Sequence, residues 1–375
     1  AFAADKINEQ FSLAPGGRYY FDLSAAGIPG TVNDALPDKT MGYVPFTYAG
    51  TVDSYKLTSE MATTEEDAEQ NQYPHSLFVA DYAVTHTISW DDLNTANLIF
   101  GKDYAAGVGY TLRAPSVGSG RTGSDESQRG TPQSNEWDRI LDKNGGYIKN
   151  WVEMFSWGQD SEDASFRAVR GYFSARYWIS YATTDSAPNL GFSPVLEVLN
   201  PGTLGSDGLK VVTLDLGGGK LGSNSDHIQI IVKKGESFTA PASNGLTRPD
   251  GNTGSYFMWL GSDGELYAPD DNVPADVTKL TAQFVPPEQF NLAPGGVYYF
   301  DLSGVSIPGT ANGSLPDKTM HYVPFTYAGT VDAYKLTSEM ATTEEYAQQK
   351  KYPHSLFVAD YVVTHTVSWN DLDTA

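Results

Sequence analysis

Tyr43-Val-Pro-Phe-Thr-Tyr-Ala-Gly-Thr-Val-Asp53 occurs twice in this chain, the second time letter for letter at residues 322–332. The run from Val44 to Tyr48 predicts a short strand, and the repetition defines the architecture. Working outward, residues 9–96 recur as 288–375 at a constant offset of 279, without a gap and with about four positions in five identical. The blocks LPDKTM, YKLTSEMATTEE, YPHSLFVADY and VTHT stand in both copies. Such similarity implies recent duplication of a long unit. One full unit runs from about residue 9 to 287, and the second copy covers only its first third. If a unit needs all its parts to close its core, residues 288–375 should leave apolar strand faces uncovered.

Within the first copy, Gly17-Arg-Tyr-Tyr-Phe-Asp-Leu23 and Ser76-Leu-Phe-Val-Ala-Asp-Tyr-Ala-Val-Thr85 read as further strand regions. Ser89-Trp-Asp-Asp-Leu93 carries the Ser N-cap and acidic first turn that open a helix, and a second short helix is expected from Asn135-Glu-Trp-Asp138. Residues 116–134 are almost entirely Gly, Ser, Thr, Arg, Asp and Gln and predict a long loop. Val195-Leu-Glu-Val-Leu199 alternates as a strand, and Asn200-Pro-Gly-Thr-Leu-Gly-Ser-Asp-Gly208 turns to linker composition. Beyond it, Lys210–Leu216, His227–Val232, Tyr256–Leu260 and Leu280–Phe284 are four strand candidates of a small β module. Few short helices among scattered strands predict the α+β class, with three domains at 8–203, 208–285 and 286–375.

Composition removes several function classes. The formal net charge of -22, with no Lys/Arg cluster, opposes binding to a polyphosphate backbone, so nucleic acid is not an expected partner. The longest apolar stretches are strand-sized, and no membrane insertion is expected. With no Cys there is no disulfide, thiolate nucleophile or Cys-based metal site. Aromatics make up 13% of the residues, including 23 Tyr, which marks folded domains rather than disorder. The opening Ala1-Phe-Ala-Ala4 has the small-x-small pattern of a trimmed secretory signal, which points to an exported protein cut from something longer.

Four pieces, in order, resemble the formylglycine-generating-enzyme type of C-type lectin-like domain. They are Tyr73-Pro-His-Ser-Leu-Phe-Val-Ala-Asp-Tyr-Ala-Val-Thr85, then Leu112-Arg-Ala-Pro-Ser116 with Asn135-Glu-Trp-Asp138, then Arg167-Ala-Val-Arg-Gly171, and finally Gly191-Phe-Ser-Pro-Val195. The resemblance covers roughly residues 11–199. Its oxidising members need active-site cysteines, which this chain lacks, and its iron-dependent members need a histidine cluster, against which the first module offers His75 and His86. What the resemblance implies is therefore ligand binding without catalysis, as in the variable proteins of diversity-generating retroelements. Their hypervariable stretch, between "R-G" and "G-F-R", corresponds here to residues 172–190. The ligand-binding residues it implies are Tyr172, Phe173, Ser174, Tyr177, Ile179, Ser180, Tyr181, Thr183, Thr184, Asp185 and Asn189, with Trp178 a buried support. The chemistry agrees independently of the family. Tyr gives large contact area at low entropic cost, and Ser, Asn and Asp add adaptable hydrogen bonds.

Residues 210–285 resemble the internalin-type B-repeat, a β-grasp-like spacer of bacterial surfaces, through Thr213-Leu-Asp-Leu-Gly-Gly-Gly219, Ile230-Ile-Val-Lys-Lys-Gly235, Phe257-Met-Trp259 and Val277-Thr-Lys-Leu-Thr-Ala-Gln-Phe284. The bland readings elsewhere prevail. Arg113 and Glu136 are expected to form a structural ion pair, and His75 and His86 to be satisfied structural histidines. No cofactor is expected. Structural calcium is the one candidate, either at the acidic run Thr63-Thr-Glu-Glu-Asp-Ala-Glu69, which reads better as a solvated face, or in a loop of the lectin-like module. Gly217-Gly-Gly219 lacks a following Lys-Ser/Thr and is a turn. The expectation is a bacterial cell-surface or secreted repeat protein that binds an extracellular glycan or protein. A structural stalk without ligand is the alternative, and an oxidase of the formylglycine-generating type comes third.

Overall fold

In the computed structural model, which describes residues 8–54, 73–105, 108–198, 204, 208–249, 257–284, 288–331 and 353–375, the duplicated run forms a nine-residue strand in each copy. The acidic run, most of the 200–208 linker and the first four residues lie outside the described residues. The chain divides into two compact units, residues 1–253 with 259–282, and residues 254–258 with 283–375.

The first unit opens with strands β1 (Arg18–Phe21), β2 (Thr31–Val32), β3 (Val44–Val52), β4 (His75–Ala80) and β5 (Thr85–His86). There follow β6 (Lys102–Ala105), β7 (Gly109–Arg113), β8 (Gly120–Thr122), β9 (Arg129–Thr131), β10 (Phe155–Ser161), β11 (Phe166–Gly171), β12 (Trp178–Ala182), β13 (Leu190–Phe192) and β14 (Val195–Val198). They build two six-stranded sheets, ordered β1-β3-β4-β14-β7-β6 and β12-β11-β10-β13-β5-β2. Period-two alternation decides which residues meet between the sheets. Phe46, Phe78, Tyr110, Leu112 and Leu196 of the first sheet share one core with Phe155, Trp157, Val169, Leu190 and Phe192 of the second.

This architecture corrects the α+β expectation. The described helices of the first unit, Trp90–Thr95 and Glu136–Lys143, have six and eight residues and form no layer of their own, so the fold is mostly β. Their starts are where the caps predicted. Ser89 and Asp92 form a reciprocal capping box, and the Asn135 side chain accepts from the Asp138 N–H. The Glu136–Lys143 helix packs Trp137, Ile140 and Leu141 against Leu77, Val79 and Val195 on the back of the first sheet. The expected long loop over 116–134 holds a hairpin instead, with Gly120 paired to Thr131 and Thr122 to Arg129. Its strands are polar because main-chain bonds, not burial, hold them.

The β module supplies a five-stranded sheet with Leu209–Asp215 between Ile228–Lys233 and Lys279–Gln283, the last of these in parallel register. Leu209 and Ile231 join the first core, and the buried Tyr43 hydroxyl donates to the Ala242 carbonyl, so the module is docked within the first unit. A hollow of about 330 Å³ remains at that junction, lined by Tyr20, Phe21, Tyr43, Tyr104, Ile231 and Phe238.

In the second unit, Val297–Phe300, Val323–Val331 and His354–Ala359 form a three-stranded sheet. Their registers repeat those of β1, β3 and β4, including the irregularity between Tyr327 and Gly329 that matches the one between Tyr48 and Gly50.

Candidate functional site

The site forms at the edge of the second sheet, where β12 pairs with β11 alone among the described residues. Entry to β12 is set by two residues with positive φ. Gly171 has φ +106°, and a Cβ there would meet the Met154 carbonyl oxygen at 2.6 Å. Tyr172 has φ +75°, a conformation that costs an L-residue about 1–2 kcal/mol. Its N–H donates to the Met154 carbonyl at 3.0 Å, which compensates, and its ring is laid on Phe155 of β10.

Around Phe155 four aromatic rings gather. Tyr172 stacks on it at 4.8 Å, Tyr181 meets it edge-on at 5.4 Å, and Tyr177 lies at 6.2 Å. Phe173, 63% exposed, completes the group with centroid distances of 4.7 Å to Tyr172 and 4.9 Å to Tyr177. Alternation along β12 puts Ile179 and Tyr181 on the side of Val169 and Arg167, while Ser180 lies opposite Ala168. Tyr172, Tyr177, Ile179 and Tyr181 are therefore half-buried, with their inner edges against the core and their outer edges in solvent. Burial, with Tyr177 and Asp185 nearby, raises the Tyr181 phenol above its usual pKa.

The other predicted residues divide. Thr184 and Asp185 are exposed at the following turn, where the Asp185 carboxylate accepts from the Ala182 N–H at 3.0 Å. Thr183 donates to Asp91 at 3.1 Å, and the Asn189 carbonyl takes the Phe155 N–H at 2.8 Å. Ser174 and Ser180 do not join the rings. Ser174 donates to the Asp125 carbonyl at 2.6 Å and Ser180 to the Glu162 carboxylate. Trp178 is buried on the opposite face, its indole N–H donating to the Gly118 carbonyl at 2.7 Å.

Sequence reasoning missed two contributors. Phe155 carries the ring cluster from β10, two strands before β12 in the chain. Arg167, opposite Tyr181, lies 4.5 Å above the Trp90 ring and donates to the carbonyls of Asp163 and Phe166. Burial lowers its pKa, against the pull of Asp91 and Asp163.

A buried ionic network lies behind the sheet. Arg113 donates to both Glu136 oxygens, at 2.7 and 2.8 Å, and to Glu197 at 2.9 Å, while His75 Nε2 lies 2.6 Å from Glu136. Burial works to raise the Glu136 carboxyl, but Arg113 and His75 outweigh it and hold the carboxyl far below its ordinary pKa. Burial also works to lower His75, and the bond to Glu136 reverses this into a raised pKa. Arg170 and Asp138 form a second buried pair at 2.8 Å, joined by Arg176 at 3.1 Å. These pairs clamp the Glu136–Lys143 helix to both sheets. His86 lies elsewhere, its Nδ1 2.8 Å from the Thr87 hydroxyl. Among the described residues no three His, Asp or Glu side chains are grouped to hold a metal ion. Comparison with protein-family models, curated proteins and solved structures returned no match.

Proposed function

We propose that this chain is a bacterial cell-surface or secreted repeat protein that binds an extracellular glycan or protein through the aromatic edge of its second sheet, and that it is not an enzyme. The observation carrying this reading is the gathering of Tyr172, Phe173, Tyr177 and Tyr181 around Phe155 on an edge strand. Rings braced from behind lose little entropy on contact, and their outward edges offer apolar area beside hydroxyls. Thr183, Thr184 and Asp185 add hydrogen-bonding groups at the rim. The likeness of 167–171 and 191–195 to the borders of a retroelement-diversified stretch supports the same reading. Duplication of the unit supports avidity, because linked weak sites bind more tightly together than singly.

One observation favours a purely structural stalk: Tyr172, Tyr177 and Tyr181, three of the four rings gathered on Phe155, also pack on the core. A glycan and surface-protein array probed with the whole chain and with a Tyr177→Ala/Tyr181→Ala variant separates the two. Binding that the variant loses while keeping its circular dichroism supports the proposal. Binding that persists in the variant moves the site elsewhere, and no bound feature at all favours the stalk.

A further inference from the structure

We propose that the hollow between the first sheet and the β module binds a small organic ammonium ion, an amine carried on a single ring, with Asp22 as its counter-ion. At about 330 Å³ the hollow stands at the small end of ligand pockets, which run from about 300 to 1,000 Å³. Five aromatic side chains line it: Tyr20 and Phe21 of β1, Tyr43, Tyr104 of β6, and Phe238 of the β module. Such rings pack against an apolar body, and their faces attract a cation. The charged residues of the lining are Asp22 and Asp270, and it contains no Lys, Arg or His. Neither carboxylate has a cationic partner among the described residues. The Asp22 charge reaches both phenols of the hollow, since burial, reinforced by Asp22, raises the pKa of Tyr43 and of Tyr104. Asp270 is held with φ +71°, its N–H donating to the Ala240 carbonyl at 3.0 Å.

The duplicated copy displays what this carboxylate accepts. At the offset of 279, Asp22 corresponds to Asp301, Ser24 to Ser303 and Gly42 to His321. Both carboxylates are fixed alike. Ser24 donates its N–H and hydroxyl to Asp22 Oδ1, at 2.9 and 2.5 Å, and Ser303 does the same to Asp301, at 2.9 and 2.6 Å. In the second copy the remaining oxygen, Oδ2, holds the His321 ring through Nδ1 at 3.2 Å. In the first copy Gly42 lines the hollow without a side chain to fill it, and no described residue donates to Asp22 Oδ2. A nitrogen cation on a ring, supplied by the chain itself in one copy, is the ligand that the other copy is shaped and charged to take from solution.

Isothermal titration of the full chain with benzylamine, and with benzyl alcohol as its uncharged counterpart, tests the proposal. One benzylamine per chain is expected, bound about tenfold or more tightly than the alcohol, because a charge-assisted hydrogen bond to Asp22 is open to the amine alone. Asp22→Asn keeps the oxygen that accepts from Ser24 and should weaken benzylamine by about tenfold, to the level of the alcohol. Gly42→His, which copies the second unit, should abolish uptake. A Cβ at position 42 meets nothing nearer than the Asp38 carboxylate at 3.3 Å, so the backbone can carry the imidazole. Tyr177→Ala/Tyr181→Ala should leave uptake unchanged, which separates this site from the aromatic edge. No uptake by the full chain, equal affinity for the alcohol, or affinity indifferent to Asp22→Asn overturns the inference. So does uptake that Tyr177→Ala/Tyr181→Ala removes.

Discussion

The rings of Phe155 and Tyr172 lie nearly parallel, 16° apart with centroids 4.8 Å from one another, so that a core residue of β10 supports a solvent-facing residue of the β11–β12 connection. Support from below distinguishes a contact surface from a loose loop, since a braced ring meets a ligand already ordered. Phe155→Ala should destabilise the first unit by about 3–5 kcal/mol, as expected for deleting a buried aromatic side chain. Phe155→Leu should cost less but still disorder Tyr172 and Tyr181. Urea denaturation, with nuclear magnetic resonance order parameters of the tyrosine rings, checks both.

Glu136 is wholly buried between Arg113 and His75, and its removal leaves a guanidinium without its bidentate partner. Glu136→Gln should therefore cost about 3–5 kcal/mol, the usual penalty for breaking one side of a buried pair. Equilibrium unfolding of the variant measures it.

Asp160 provides a pH signature. Burial, reinforced by the negative charge of Glu136, raises its carboxyl from 3.8 to about 6, against hydrogen bonds from the Val117 and Gly118 N–H groups. The native state then binds the proton more tightly than the unfolded chain, so this group's contribution to stability falls as pH rises from about 4 to 6. Between pH 5 and 6 this signal stands apart. The stabilisation from Glu136 and Asp138, both lowered in the native state, is lost only as pH falls below about 4. His75, raised in the native state, loses its contribution as pH rises beyond about 6.5. Asp160→Asn should abolish the decline from pH 5 to 6, which for a single proton amounts to about 1.4 kcal/mol at most. Thermal unfolding of both proteins across that range shows whether the slope disappears.

Tyr43 holds the β module through the Ala242 carbonyl, and Leu209 and Ile231 carry the core across the junction. Residues 8–284 should accordingly unfold in one calorimetric transition rather than two. Tyr43→Phe leaves a buried carbonyl without its donor and should cost about 1–3 kcal/mol. Calorimetry of the variant should show a lowered, broadened transition.

Much of this fold was legible because it depends on local rules. The duplicated run marked its strands in both copies, Ser89 and Asn135 marked two helix starts, and the four strands expected in the β module all form. The α+β assignment failed because short capped helices were weighted as a layer, whereas pairings such as Phe192 with Thr85 and Leu196 with Phe78 join distant segments into the two sheets. The hairpin of β8 and β9 was hidden because its residues show no apolar alternation. At the site, the resemblance singled out Tyr172, Phe173, Tyr177 and Tyr181 within one stretch, and their rings lie together beside Phe155. It could not reveal which face of β12 Ser180 takes, since that depends on the register with β11.

The most direct test of a diversified binding face is a survey of the segment coding for residues 172–190 across sibling repeats and strains, beside any near-identical template. The account predicts substitutions concentrated at Phe173, Tyr177, Ile179, Tyr181, Thr184 and Asp185, arising at template adenines, with buried Trp178 and Leu190 unchanged. Variation no greater than in the flanking β10 and β14 would contradict it and leave the structural stalk as the better account.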